Sequence, residues 1–299
     1  MEPSGVIILN KPAGMTSHDC VNKMRRLFDT KKVGHTGTLD PMATGVLPIL
    51  IGRAAKAADF LTAENKLYRA GLRLGLVTDT EDTTGSTLSE SHDIPSEDEV
   101  RRVCAEFVGE IMQVPPMYSA LKVGGQKLVD LARRGVTVER EARQITVHSI
   151  DVESTEAASD YILTVACSKG TYIRTLCADI GAKLGCGGCM SSLERLGSGS
   201  FSIADSHTLG ELAELEPEER IKLLRPVESL FEELPELKLP EFFERLSRNG
   251  CEVYLKKIGA ELPVGARVRL IGENGFYALG EVMEFDAGPA VKVIKLFEL

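Results

Sequence analysis

The sequence predicts an α+β fold: a largely antiparallel mixed sheet flanked by helices, followed by a small β-rich unit. Three observations point there. Alternating apolar stretches mark more strands than there are clear β-α-β crossovers, which argues against a doubly wound sheet. The helical stretches are short and carry capping or stop residues at their ends. After about residue 235 the pattern changes to "ARVRLIGENGFYALGEVMEF", which reads as two strands around an Asn274-Gly275 turn. With 299 residues the chain exceeds one typical domain. We expect a large unit over 1–235 and a small one over 236–299, joined through "EELPELKLPE".

Taken in order, "GVIIL" (5–9) is a short buried strand, and Ser17 is placed to cap a helix that turns Val21, Met24 and Phe28 inward. "VLPILI" (46–51) is a strand and "RAAKAADFL" (53–61) a short alanine-rich helix. In "KLYRAGLRLGL" (66–76) the apolar positions alternate, which predicts a strand with Tyr68 at the start of its apolar face. "VTDTEDTTGST" (77–87) reads as an acidic loop. Ser96 and Glu99 form a capping-box signature for a helix with Val100, Val103, Cys104 and Phe107 inward. A proline- and glycine-bearing loop (114–125) precedes a helix over 126–135 that ends at Gly135. Strands are expected near 136–140, 144–153 and 160–167, then a helix marked by Leu176, Ile180 and Leu184 and stopped by Gly185. "AVKVIKLFEL" is the final strand.

Apolar residues make up 43% of the chain and charged residues 26%, enough to bury a core. Apolar runs such as "GVLPILIG" are too short to span a bilayer, and the first residues lack the order of a signal peptide, so a cytoplasmic protein is expected. The 7 cysteines are scattered and odd in number, which argues for reduced thiols. Cys186 and Cys189 form one C-x-x-C with no second pair, half of a zinc ribbon. The net charge of −9 disfavours nucleic acid if taken alone. Acidity is concentrated over 211–237, however, whereas "VNKMRRLFDTKK" gathers Lys23, Arg25, Arg26, Lys31 and Lys32. Local sign matters more than the sum for a polyanion that docks on one face.

Three candidates for chemistry stand out. "GHTGTLDPMATG" (34–45) sets one carboxylate, Asp40, in front of Pro41 among glycines. Locally it fits a capped turn or helix start. The same carboxylate on a shaped loop can act as nucleophile or general base, with glycines admitting another backbone or a ligand. No phosphate loop, dinucleotide fingerprint or metal-ligand spacing occurs, and no cofactor is expected. Arg174, at a strand-to-helix junction in "SKGTYIRTL", is either a surface arginine or a fork aimed at a carboxylate or phosphate. Tyr68 is either an ordinary core tyrosine or a platform for a nucleobase.

Together, "LNKPAGMTS" (9–17), "GHTGTLDPMATGVLPI" (34–49), "KLYRAGLRLG" (66–75) and "SKGTYIRTLCADIG" (168–181) resemble the bacterial tRNA pseudouridine synthase B family. The resemblance spans roughly residues 5–203, and the GHTGxLDPxATGxL pattern is highly specific. The C-terminal unit is similar to the PUA-type RNA-binding module of such enzymes. The resemblance implies a pseudouridine synthase fold and the cofactor-free isomerisation of uridine 55 in the TΨC loop of tRNA. The C1′–N1 bond breaks and the uracil rejoins through C5. Asp40 is implied as the catalytic carboxylate, acting at C1′, C2′ or C6. Tyr68 is implied to stack on the target base and to serve in late proton transfer. Arg174 is implied to pair with Asp40, and Tyr172 and Leu193 to line the base pocket. His35 is implied to hold the flipped RNA loop, with Lys11, Lys56 and Asp82 near the site. The glycines around Asp40 would then clear room for RNA.

The expected partner is the T-arm of tRNA, bound by a monomer, with the basic segment 21–32 and Arg133–Arg134 on its backbone. One departure is visible: where relatives read "LRRTRSGPF", this chain reads "LERLGSGSF" (193–201). Arg195 alone survives of that segment's cations, which implies fewer phosphate contacts. A guide-RNA-dependent synthase and a tRNA-folding factor are the alternative readings.

Overall fold

The computed structural model describes residues 3–61 and 65–297. Strand β1 (Gly5–Lys11) is followed by helix α1 (Ser17–Leu27), the short β2 (Val33–His35) and β3 (Thr44–Ile51). A 3-10 segment, Gly52–Phe60, stands where an alanine-rich helix was expected. Then come β4 (Lys66–Leu74), the hairpin β5 (Leu76–Thr78) and β6 (Thr87–Glu90), α2 (Glu97–Ala105) and β7 (Gly109–Gln113). A two-residue-strand hairpin, β8 (Lys122–Val123) and β9 (Gln126–Lys127), leads into α3 (Leu128–Ala132). β10 (Arg143–Ser154), β11 (Asp160–Cys167), α4 (Ile173–Leu184), β12 (Gly188–Ser198) and β13 (Phe201–Ser202) follow. Helices α5 (Leu209–Glu214) and α6 (Pro217–Lys222) lead to β14 (Glu236–Lys238), α7 (Glu241–Arg248), β15 (Val253–Tyr254) and α8 (Leu255–Ile258). The long strands β16 (Arg267–Gly272), β17 (Gly275–Phe285) and β18 (Gly288–Leu296) close the chain.

The nine-stranded sheet runs β1-β3-β12-β4-β11-β10-β7, with β2 and β13 attached to β3 and β12. Its pairings are antiparallel except β12 against β3, so the sheet is mixed and mostly antiparallel, as the sequence predicts. A second sheet has the order β14-β16-β17-β18-β15. β1 and β3 carry unbroken apolar runs, Val6 to Leu9 and Val46 to Ile51, because both of their faces are covered. Ile7, Leu9, Leu47, Ile49 and Ile51 join the core formed with α1 and α4. Val6, Ile8, Val46 and Leu50, on the opposite face, pack with Phe231, Phe276, Leu279 and Phe297. The second sheet therefore docks on the back of the first through an aromatic cluster whose Phe276 and Phe297 rings lie 5.5 Å apart.

Several expectations are corrected. Thr16, not Ser17, caps α1, in a reciprocal box with Asp19. Residues 136–140 form no strand; that place beside β10 is taken by β7, which the sequence reading did not contain. The expected acidic loop is partly β-hairpin, and the helix expected over 126–135 is confined to α3. The β16–β17 turn is made by Glu273 and Asn274, with Gly275 already in the strand at φ +103°. Among the described residues no helix is long and apolar enough to cross a membrane.

Helix α4 lies against β12 so closely that a Cβ on Gly181 would sit 2.2 Å from the Gly188 nitrogen. That neighbour is backbone and cannot swing aside. Gly181→Ala is therefore expected to destabilise the protein by about 2 kcal/mol or more through overpacking. Urea-denaturation midpoints measure this, and a loss below about 0.5 kcal/mol would show that the helix can lift off without cost.

Candidate active site

The two N-terminal motifs form one structure. The Lys11 ammonium is completely buried and donates to the carbonyls of Pro12 at 2.9 Å, Pro41 at 3.2 Å and Ala43 at 2.6 Å. The Ser17 hydroxyl accepts from the Leu39 amide at 2.9 Å and donates to its carbonyl at 3.2 Å. Gly14 donates its amide to the Pro41 carbonyl at 2.8 Å. The backbone on both sides of Asp40 is thus stapled by residues 11–17. Asp40 itself opens a turn closed by the Ala43 amide on its carbonyl at 3.1 Å, with Pro41 at the second position. The turn expected of this stretch is present, and it leaves the Asp40 side chain on the cavity wall.

Arg174 enters from the first turn of α4. Its Nε lies 2.9 Å from Asp40 Oδ2, and Nη1 lies 3.7 Å from Asp82 Oδ2. Nη1 also donates to the Thr80 carbonyl at 3.1 Å, and Nη2 to that of Tyr118 at 2.7 Å. The arginine side chain is 6% exposed and that of Asp82 7%, whereas Asp40 keeps 36% of its side-chain surface. That surface faces a cavity of about 350 Å3. Tyr68, Tyr172, Leu193, Lys66, Lys169 and Arg195 are among its lining residues.

Tyr68 is buried on β4, opposite Val165 of β11 and Arg195 of β12. Tyr172 precedes α4. Its amide donates to Gln113 Oε1 at 2.8 Å, and its carbonyl accepts from Gln113 Nε2 at 3.0 Å. Gln113 is 2% exposed, so this amide clamp fixes where α4 begins.

Burial pushes the Asp40 carboxyl above the ordinary carboxylate range; Arg174 pulls it back and Asp82 raises it again. The pairing implied for Arg174 is present, but desolvation outweighs its pull on the carboxyl. Burial raises the Tyr68 phenol, against which Arg195 acts, and raises the Tyr172 phenol. Behind Arg174, Glu81 accepts a hydrogen bond from the Thr175 hydroxyl at 2.5 Å, and burial raises its carboxyl.

The remaining sequence candidates are placed as follows. Lys11 acts on the turn's backbone and does not line the cavity. His35 is half-buried on β2, outside the cavity lining, and burial followed by Arg195 lowers its imidazole. Lys56 lies outside the cavity lining: its 3-10 segment aims the ammonium at the Leu296 carbonyl, 2.9 Å away at the end of β18. Asp82 meets Arg174 without lining the cavity. Of the glycines in the Asp40 stretch, Gly37 lines the cavity, whereas Gly45, at φ +96°, is required by packing: a Cβ there would stand 2.3 Å from the Arg195 carbonyl oxygen.

Arg195 is 1% exposed, so it is no phosphate contact. Its spacing held the clue: Leu193 and Arg195 are two apart on one strand and share a face. Gln113 carried no such signal, because its strand was not legible. All seven cysteines are free and six are buried; among the described residues, no cluster of three or more His, Cys, Asp or Glu could hold a metal.

Burial, then Glu81, pushes the Asp179 carboxyl from 3.8 up to about 6. The folded protein then holds this proton more tightly than the unfolded chain, so stability falls as pH rises through that interval. Asp179→Asn is expected to flatten the fall. Urea midpoints at the two ends of the interval check it, and an unchanged slope would show that Asp179 does not titrate there.

Residues 25–173 match the TruB family pseudouridylate synthase N-terminal domain, and residues 174–232 the tRNA pseudouridylate synthase B C-terminal domain. The chain is 42% identical to tRNA pseudouridine synthase B of Clostridium kluyveri, over 98% of this chain and 99% of that protein. It is 43% identical to the protein of the same name from Alkaliphilus oremlandii, over 99% and 98%. Among solved structures it is similar to the archaeal box H/ACA sRNP Nop10-Cbf5 complex, with 27% identity, a TM-score of 0.73 and coverage of 99% of this chain and 87% of that one. An H/ACA RNP bound to a substrate RNA containing 2′-deoxyuridine gives 28%, 0.72, 99% and 85%. With the Asp40–Arg174 pair set in the fold these proteins share, the chain belongs to the TruB family of pseudouridylate synthases.

Proposed function

We propose that this enzyme isomerises uridine 55 in the TΨC loop of tRNA to pseudouridine, with Asp40 as its catalytic carboxylate. The observation that carries the reading is the Asp40–Arg174 ion pair at 2.9 Å on the wall of a cavity that also holds Tyr68. A pocket of about 350 Å3 suits one nucleobase. The target must leave its stack to enter. Asp40 then engages the nucleotide while the C1′–N1 bond is exchanged for a C1′–C5 bond. Tyr68 and Leu193 flank the base, and Tyr68 takes part in the late proton transfer. His35 helps hold the splayed loop. Lys66 and Lys169 at the cavity, with the basic α1 segment, offer cations to a folded RNA whose shape and phosphates are read. Residues 236–299 act as a PUA-like RNA-binding unit, and the enzyme works as a monomer.

The H/ACA structural neighbours favour a second reading, dependence on a guide RNA and partner proteins. The relatives named tRNA pseudouridine synthase B match at 42–43% identity, against 27–28% for those neighbours, and support the first.

The test is mass-resolved mapping of pseudouridine in a T-arm hairpin incubated with the purified protein alone. Modification at the target uridine is expected, and turnover only with added guide RNA and proteins would sink the assignment. Asp40→Asn is expected to abolish the product while RNA affinity stays within about tenfold, because the change removes chemistry and leaves the cations. Arg174→Lys is expected to slow single-turnover modification by at least about tenfold, since a lysine cannot hold Asp40 and two carbonyls with one fork. Near-normal rates in that variant would show that the pairing is dispensable.

A further inference from the structure

Arg195 is a buried cation that the site described so far does not use. It lies on β12 at the point where that strand touches both of its neighbours, opposite Gly45 of β3 and Tyr68 of β4. Its Nε donates to the Val46 carbonyl at 2.6 Å and its Nη2 to the Gly37 carbonyl at 3.2 Å. The guanidinium and the Tyr68 phenol line the same cavity, and the cation favours the phenolate. Among the described residues no carboxylate forms an ion pair with it. A desolvated cation held by two carbonyls keeps unspent capacity for negative charge beside the phenol.

We propose that Arg195 is the positioning residue for Tyr68: it aims the phenol into the cavity and supplies the cation that stabilises the phenolate which takes the C5 proton. The proposal rests on the uridine-isomerase assignment. In that step Tyr68 starts as the phenolate, its own proton in solvent; the C5–H bond of the rejoined uracil breaks and the proton passes to the phenolate oxygen. The electron pair restores the C5–C6 double bond, and N1 takes a proton from water. Tyr68 then returns its proton to solvent, so the step is a tautomerisation with no net gain or loss. The charged and titratable groups around the phenol are Arg195 from β12, Asp40 from the β2–β3 loop, Cys167 from β11, Lys66 on its own strand, and Tyr172 and Arg174 at the start of α4. Of these Arg195 favours the phenolate most, while burial, Cys167 and Asp40 oppose it.

The experiment measures single-turnover rates of the full-length enzyme on a T-arm hairpin carrying ordinary or C5-deuterated target uridine, from neutral to alkaline pH. Arg195→Met is expected to slow the reaction about 10²-fold at neutral pH with RNA affinity within about threefold. Part of that rate should return as pH rises, because the phenolate then forms at higher pH. A C5-deuterium isotope effect absent from wild type should appear. Arg195→Lys, which keeps the charge, should restore much of the rate and the original pH profile. In a Tyr68→Phe background the Met substitution should cost less than about threefold more.

A fully active Arg195→Met enzyme would overturn the role. So would a loss that is additive with Tyr68→Phe, shows no isotope effect and tracks a lowered melting temperature. Should Arg195→Met fail to fold, an Arg195→Lys enzyme with a displaced pH profile and no isotope effect overturns it equally. A wild-type enzyme that makes no pseudouridine would overturn the isomerase assignment together with this role, which keeps the two failures distinct.

Discussion

One guanidinium organises the site. Arg174 is nearly inaccessible, and a buried charge is tolerated only when its donors are met. They are met by three loops that are remote in sequence: Asp40 after β2, Thr80 and Asp82 in the β5–β6 hairpin, and Tyr118 after β7. Each loop would otherwise have to be ordered by its own contacts. The arrangement also sets the electrostatics. Two carboxylates share one cation, and the partner that keeps solvent access through the cavity is Asp40, the one raised by burial and by Asp82. A carboxylate held this way is fixed in place yet open to the cavity.

A second layer of constraint acts on the backbone rather than on the side chain. Lys11, Ser17 and Gly14 hold the peptide groups on both sides of Asp40, and Arg195 holds Gly37 and Val46 at the ends of the same stretch. Two buried cations are thereby committed to carbonyl oxygens. The cost of desolvating them is offset by hydrogen bonds that hold one loop where Asp40 meets Arg174. The dense covering of β1 and β3 on both faces gives these contacts a rigid base.

Much of the fold was legible in the sequence because strand alternation and helix stops are local signals. β1, β3, β4, β11, α4 and the β16–β17 hairpin follow from spacing alone. The misses have physical causes. β7 is half-exposed and carries Gln113 inward, so its polarity does not mark a strand. Thr16 and Ser17 both suit a cap, and only the geometry showed that Ser17 is occupied by Leu39. Lys56 stood on a family position near the site, yet the chain turns its ammonium toward the C-terminal sheet.

The sequence by itself determined the chemical inventory. One carboxylate sits on a proline turn, with an arginine at a helix start and a tyrosine on a strand face, because each of those signals is carried by residues adjacent along the chain. What the tertiary structure decided is which groups meet. Asp82 joins the arginine across more than ninety residues, Gln113 fixes Tyr172, and Arg195, read from sequence as a surviving surface cation, is buried against Tyr68. Those pairings depend on sheet order and register, which bring distant strands side by side, and no local pattern encodes them.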